Sequence, residues 1–119
     1  DSYMYSDGEV HASYYTAGSL ESIKKNIELF DKSAIEIIKN ADIYEYNLKQ
    51  EDDKANKHIG LVIGDRKKSY NTPKEVISKK GDGIDLYSMI SMSWKAIKEQ
   101  QEQIEKLKKE IEQLKKEMK

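Results

Sequence analysis

The C-terminal third of the chain carries apolar side chains at intervals of seven residues. Five of them form one series, and two more follow members of that series by three residues: Ile90, Ile97, Ile104, Ile111 and Met118, with Leu107 and Leu114. This spacing assigns the first series to the a positions and the second to the d positions of a coiled-coil heptad. Residues 85–119 are therefore predicted to form one long helix, a rod on the order of 50 Å, that associates with copies of itself.

The charges beside this apolar seam favour a parallel arrangement. Glu110 falls at a g position and Lys115 at the next e position, so these side chains can pair between neighbouring parallel helices. Ile at a with Leu at d favours dimers, but Ser93 and Gln100 occupy earlier d positions, which leaves dimer and trimer open. The alternative is packing against the chain's own globular part, which is too small to cover the whole rod.

The composition leaves room for one small globular unit beside the rod. The chain has 119 residues, of which 37% are hydrophobic and 36% are charged. Its net charge is −1 with both signs interspersed, so there is no basic field for a nucleic-acid or anionic membrane partner. The chain has no cysteine and no apolar run of membrane-spanning length, and we expect no cofactor and no metal.

The N-terminal segment, residues 1–18, is β-prone. Asp7 and Gly8 form a turn signal between two candidate strands, residues 3–5 and 10–15. The segment is too short to bury a face, so we expect it to pair with other copies or with upstream sequence. The chain begins at Asp1 without a preceding Met and has no signal-peptide pattern, and we expect it to be part of a longer polypeptide.

The middle of the chain predicts a small α+β domain. Apolar residues at helical spacing predict a helix over residues 20–41, capped by Ser19 or Ser22 and broken at residues 31–33. Two strand-like segments, residues 43–48 and 58–64, predict an antiparallel hairpin packed on that helix.

Three shorter elements are predicted between the hairpin and the long helix. Residues 65–71 read as a charged loop, and residues 79–83 as a turn. Between them a short helix is expected to run to Ile77, with Thr72 as its cap and Pro73 at its first position.

Few residues are candidates for catalysis or for binding a metal or phosphate. The glycines of residues 60–65 lack the ending of a phosphate-binding loop, and His11 and His58 have no carboxylates at ligand spacing. Ser19 and Lys24 remain, since a lysine amine that has lost its proton can activate a serine hydroxyl toward a carbonyl. Five residues of α-helix rotate by about 140°, so these two can meet only if Ser19 precedes the first turn and the chain bends at Gly18. The alternative from spacing alone is Ser19 as an ordinary helix cap and Lys24 as a solvated side chain.

Several segments together resemble a known family. They are the pattern Ser-x4-Lys-x-Asn-Ile from Ser19 to Ile27, Ile43 to Tyr46, Lys57 to Val62, and Leu86 to Ile97 with Lys98 entering the coiled coil. This order resembles the intramolecular chaperone auto-processing domain that closes phage tailspikes, tail fibres and neck appendages, the endosialidase type.

The resemblance implies a homotrimer that helps an upstream triple-stranded β-helix stalk of the same polypeptide to fold and then cuts itself off. Ser19 would be the nucleophile, Lys24 its general base, and Gly18–Ser19 the scissile bond. Residues 1–18 would end the stalk, residues 19–84 would be the globular chaperone part, and residues 85–119 the coiled coil. The protein would act in the host cytoplasm during virion assembly, as the precursor of a phage appendage.

One position departs from the family pattern, because Leu20 stands where an aspartate usually follows the serine. Cleavage is then expected to be slow or to depend on assembly. Two other readings stay open: a non-catalytic trimerisation and capping module, and receptor binding by the polar loops 49–57 and 65–71.

Overall fold

The computed structural model describes residues 6, 8–65 and 69–119, and the chain falls into two compact units, Asp1–Phe30 and Asp31–Lys119. The predicted strand at residues 3–5 and the turn residue Asp7 lie outside the described residues, as do residues 66–68 of the predicted charged loop. Each unit is described by itself.

The first unit has one short regular element among its described residues, a 3-10 turn at Glu21–Ile23. The predicted helix over residues 20–41 is wrong in this part, since the chain is extended on both sides of the turn. The predicted caps Ser19 and Ser22 are also wrong, because Leu20 precedes the turn and no side chain caps it. Asn26 has φ 54, a left-handed conformation that interrupts an α-helix.

Residues 10–15 form no strand, contrary to the sequence prediction. Within the described part of this chain no strand lies beside them to pair with, and an isolated short strand is not stable in water. A local contact remains, in which the Tyr15 hydroxyl donates to the Val10 carbonyl oxygen at 2.9 Å.

The second unit begins with helix α1, Ala34–Lys39. Its N-cap is Ser33, whose hydroxyl accepts a hydrogen bond from the Glu36 N–H at 3.2 Å. The predicted interruption at residues 31–33 is therefore correct. Of the helix expected over residues 20–41, only Ala34–Lys39 is α-helical.

The predicted antiparallel hairpin is confirmed, but its predicted packing on the first helix is wrong, because the two strands lie against each other and not against α1. Strands β1 (Tyr44–Tyr46) and β2 (His58–Gly60) pair in a register that places Glu45 opposite Ile59. Both strands are three residues long, shorter than the segments predicted from the sequence.

The chain returns to the core through a second 3-10 turn, Lys74–Val76. Thr72 does not cap it, contrary to expectation, because its hydroxyl donates to the Val62 carbonyl oxygen, and Pro73 takes the cap position. The predicted turn at residues 79–83 is present, with Gly81 at φ 88 and its N–H bonded to the Ser78 carbonyl oxygen at 2.9 Å.

Helix α2, Leu86–Glu117, confirms the long helix predicted from the heptads. The Asp85 carboxylate caps it by accepting from the Ser88 N–H at 3.1 Å. The first half of α2 contributes to a small core of four buried residues: Ala34, Val76, Met92 and Ala96. The fold is thus α+β, with a two-stranded sheet and one long helix. Within the described ranges, α2 and the other helices are too short or too polar to cross a membrane.

Candidate functional site

Ser19 and Lys24 are in contact in the first unit. The Lys24 Nζ donates to the Ser19 Oγ over 2.5 Å. The 3-10 turn between them is closed by two backbone bonds, from the Ile23 N–H to the Leu20 oxygen at 3.2 Å and from the Lys24 N–H to the Glu21 oxygen at 3.0 Å. The sequence separation of five residues is therefore bridged by one tight turn.

The shortness of the turn explains why the two side chains meet. An α-helix over this stretch would point them about 140° apart, whereas here only Glu21–Ile23 is helical and the backbone is extended at Leu20 and Lys24 on either side. Lys24 then leaves the turn in an extended conformation, φ −121 and ψ 154, and its long side chain reaches back to Ser19. The bend expected at Gly18 is instead supplied by the turn that follows Ser19.

Gly18 itself is under no steric demand in this arrangement. A Cβ added at Gly18 would lie 3.7 Å from the Ile23 Cδ1, which is ordinary van der Waals contact. A glycine before Ser19 is therefore not required by packing within the described chain.

Both members of the pair face water in a single chain. Ser19 and Lys24 are exposed, and the hydrogen bond between them is on the surface. Lysine amines in water are protonated at neutral pH, and burial is what lowers the pKa of such a group. The contact thus has the geometry of a nucleophile and a base, and in the isolated chain it lacks the dry surroundings that a base requires.

The second candidate site is the apolar seam of α2. All seven residues predicted from the heptads are between 46% and 86% exposed: Ile90, Ile97, Ile104, Leu107, Ile111, Leu114 and Met118. The globular part of the chain covers none of them, which removes the alternative that this stripe packs on its own domain. A continuous exposed apolar stripe of this length is typical of a protein interaction surface.

Two aromatic residues that the heptad reasoning missed extend the seam. Trp94 is 72% exposed and lies four residues after Ile90 and three before Ile97, while Tyr87 lies three before Ile90. Residues three and four apart lie on one helix face. The sequence carried this signal, since Tyr87 and Trp94 are themselves seven residues apart, but neither belongs to the a and d series from which the seam was predicted.

The N-terminal half of α2 also has a second apolar face, which packs against its own domain. Met92 and Ala96 are buried in the core, and Met89 and Ser93 line an apolar groove beside it. The d position predicted at Ser93 therefore belongs to the domain side of the helix, and the Ser93 hydroxyl donates to the Met89 carbonyl oxygen at 3.0 Å.

The two histidines are paired with acids close in sequence. His11 lies 2.7 Å from Glu9, and the His58 Nε2 lies 2.9 and 3.0 Å from the two oxygens of Glu51. The hydrogen bond from His58, with another from the Leu48 N–H, holds the pKa of Glu51 below its usual value. Among the residues that the structure describes, no three His, Asp or Glu side chains cluster in a way that could hold a metal.

Comparison with known proteins finds one family model that matches part of the chain. Residues 21–76 match the model described as "Chaperone of endosialidase", whose name is that of a peptidase family, S74. The match runs from the 3-10 turn to the buried Val76, a little under half of the chain, and begins after Ser19. It supports an endosialidase-type intramolecular chaperone domain. Among the curated proteins and the solved structures, none matches significantly.

Proposed function

We propose that this chain is a self-releasing intramolecular chaperone of a phage tailspike or appendage. It forms a homotrimer through α2, assists the folding of an upstream triple β-helix of the same polypeptide, and cuts the Gly18–Ser19 bond once assembled. The family match supports the chaperone role. The contact of the Lys24 Nζ with the Ser19 Oγ at 2.5 Å is the observation that carries the self-cleavage.

Association of chains through the exposed seam of α2 would help the upstream stalk to fold. A triple β-helix contains many pairings between chains, so it folds slowly and is prone to wrong register. Helices that hold three chains together raise the effective concentration of the strands to be paired. Trimerisation therefore precedes and guides the folding of the stalk.

The proposed chemistry uses the hydroxyl of the residue that follows the scissile bond. The neutral Lys24 amine takes the proton of the Ser19 hydroxyl while Oγ attacks the Gly18 carbonyl carbon. The C–N bond breaks, the Ser19 nitrogen takes up a proton, and an ester between Gly18 and Oγ remains. Water then hydrolyses the ester, which leaves a carboxylate on Gly18 and a free amine on Ser19.

Assembly is expected to control this reaction. The amine must lose its proton, and the pair is exposed to water in a single chain. Contact with neighbouring copies would remove the pair from water and favour the neutral amine. We therefore expect trimers to cut and isolated chains to stay intact.

The first test is a pair of masses measured on the stalk-bearing polypeptide. The native mass should be that of a trimer, and the denatured mass should show a C-terminal fragment that begins at Ser19. A chain that sediments alone and folded at micromolar concentration would rule out the trimer and with it the proposed control of cleavage.

Three variants then separate the roles within the pair. Ser19→Ala and Lys24→Ala should each abolish the fragment while the trimer persists. Lys25→Ala is the matched control, since it removes an exposed neighbouring amine and should cut at the wild-type rate. Cleavage of Lys24→Ala at the wild-type rate would show that Lys24 is not the base.

One observation favours a second candidate, a trimerisation and capping module that stays attached to its fibre. The exposure of Ser19 and Lys24 in the single chain is what a non-catalytic surface contact would show. A helix-cap function for Ser19 lends this candidate no support, because Leu20 holds the position before the turn. A trimer in which wild type and Ser19→Ala both remain full length would decide for this candidate.

A further inference from the structure

An apolar groove in the second unit lies open beside the N-terminal half of α2. It has a volume of about 210 Å³, and residues of α1, of the segments that flank the hairpin and of α2 line it, among them Ile38, Ile43, Leu61 and Met89. Ile43 is 62% exposed and Met89 is 38% exposed. A single chain therefore leaves apolar surface uncovered beside its own small core.

The heptads state which residue of a neighbouring copy comes nearest to this groove. Met89 directly precedes Ile90, an a residue, and so falls at a g position. In a parallel coiled coil the g residue of one helix faces the next e residue of its neighbour, five positions later. This is the relation that pairs Glu110 with Lys115, and for Met89 it selects Trp94.

Trp94 is placed to make such a contact with another copy and not with its own groove. Its exposed side chain lines a separate depression of α2 with Tyr87, Ile90 and Ser91. Five residues of α-helix turn by about 140°, so Met89 and Trp94 of one chain point in widely different directions. The groove and the indole of one chain thus form two complementary halves of a contact between copies.

The chemistry of this pair differs from that of the g and e pairs that follow it. Met89 and Trp94 are both large and apolar, whereas each later pair contains a polar side chain: Ala96 with Gln101, Gln103 with Lys108, and Glu110 with Lys115. The d positions of the same half of α2 are Ser93 and Gln100, which offer little apolar contact. Apolar contact in this half is therefore available beside the seam, at the g and e positions.

We propose that the indole of Trp94 docks into the apolar groove of the neighbouring copy, beside the Met89 of that copy. The inference rests on the proposed function, because it requires parallel assembly through α2. It adds that each globular part is bound by the helix of the next copy as well as by its own. A tryptophan seated in an apolar pocket is a typical anchor of a protein interface.

The test compares Ile43→Lys with Ile59→Lys in the full chain. Both isoleucines are exposed, 62% and 73%, and both lie in the second unit, but of the two only Ile43 lines the groove. Assembly is followed by sedimentation over a range of chain concentrations. We expect half-assembly of Ile43→Lys to require a concentration about tenfold higher or more. Ile59→Lys should stay within about twofold of wild type.

A double-mutant cycle separates the contact from a general loss of stability. Trp94→Ala alone should weaken assembly by a factor similar to that of Ile43→Lys. In the Trp94→Ala background, Ile43→Lys should weaken it little further, because the groove then has no indole to receive. If the two effects multiply as independent changes do, Trp94 does not occupy the groove and the inference is overturned.

Failure of this inference can be told apart from failure of the proposed function. A wild-type trimer with Ile43→Lys and Ile59→Lys trimers of equal affinity overturns the docking of Trp94 and leaves the trimer standing. A wild-type chain that stays single at every concentration overturns the proposed trimer, and the docking of Trp94 with it.

Discussion

The most strongly perturbed carboxylate of the described chain is Glu99. Hydrogen bonds from the Ser33 hydroxyl and the Ala34 N–H, with a smaller contribution from Lys95, lower the pKa of Glu99 from 4.5 to about 2. Donors aimed at a carboxylate stabilise its ionised form. At neutral pH these hydrogen bonds to Glu99 therefore contribute to the stability of the second unit.

This contribution should disappear in acid. Because the pKa of Glu99 is lower in the folded than in the unfolded chain, its stabilisation is complete above pH 4.5 and is lost as the pH falls toward about 2. The difference in unfolding free energy between wild type and Glu99→Gln should therefore shrink over that range, as measured by urea unfolding at successive pH values.

The control for this measurement is Glu102→Gln, which removes an exposed carboxylate three residues further along the same helix. Subtraction is needed because hydrogen bonds also lower the pKa of Glu75 and Glu51, which titrate in both proteins. A difference in unfolding free energy between wild type and Glu99→Gln that is constant from neutral pH to pH 2 would contradict a stabilising role for the hydrogen bonds to Glu99.

At the scale of elements, α2 has two apolar faces with separate tasks. Met92 and Ala96 join the core, while Ile97 and Trp94 remain exposed beyond it. A single helix of this length with a wet apolar stripe has little reason to persist beyond its domain. The lower half of α2 is therefore expected to depend on partner helices, as the proposed trimer would supply them.

The prediction for this element is that Ile111→Asn weakens the assembly. Burial of an isoleucine side chain contributes about 2 kcal/mol per chain, and an asparagine would also bring a polar group into the seam. Trp94, the only tryptophan of the sequence, reports association because burial of its exposed indole shifts its emission to shorter wavelength. The shift should require a higher protein concentration in Ile111→Asn than in wild type.

Gln113→Asn is the matched control for that experiment. It lies two residues after Ile111 at a c position, outside the seam, and bonds to Glu117 along the same helix at 3.2 Å. Its association curve should follow that of wild type. If Ile111→Asn and Gln113→Asn associate equally well, the seam is not the assembly surface.

At the scale of the whole molecule, the proposed cleavage would mean that the stalk folds with the chaperone part attached and persists without it. The proposed chaperone part raises the local concentration of the stalk segments only while it remains covalently attached to them. A stalk that has lost its chaperone part can unfold slowly but refolds inefficiently. Its lifetime is then set by the rate of unfolding.

The corresponding prediction concerns refolding of the stalk-bearing polypeptide. After denaturation and dilution, the uncut Ser19→Ala precursor should recover trimeric stalk, whereas the cut wild-type products should recover little. Yields are compared by native mass at equal chain concentration. Equal recovery of both would show that the chaperone acts without being attached, contrary to the proposal.

Much of the second unit followed from sequence alone. Heptads and turn residues act locally, so α2 and the turn at Gly81 could be predicted without knowledge of the rest. The hairpin was also foreseeable, since alternating apolar residues on both sides of a polar link favour one antiparallel register.

The tertiary structure decided what periodicity could not. Helical spacing over residues 20–33 suggested a helix that does not form, because no surface of its own unit covers these apolar side chains and Asn26 takes a left-handed conformation. Which face of α2 meets the domain was likewise set by packing against Ala34 and Val76. The sequence analysis named Ser19 and Lys24 as a pair, and the structure decided how they meet, through a turn that follows Ser19. The hold of Glu99 on Ser33 and Ala34 depends on proximity between distant parts of the chain, which a pattern of residue types does not encode.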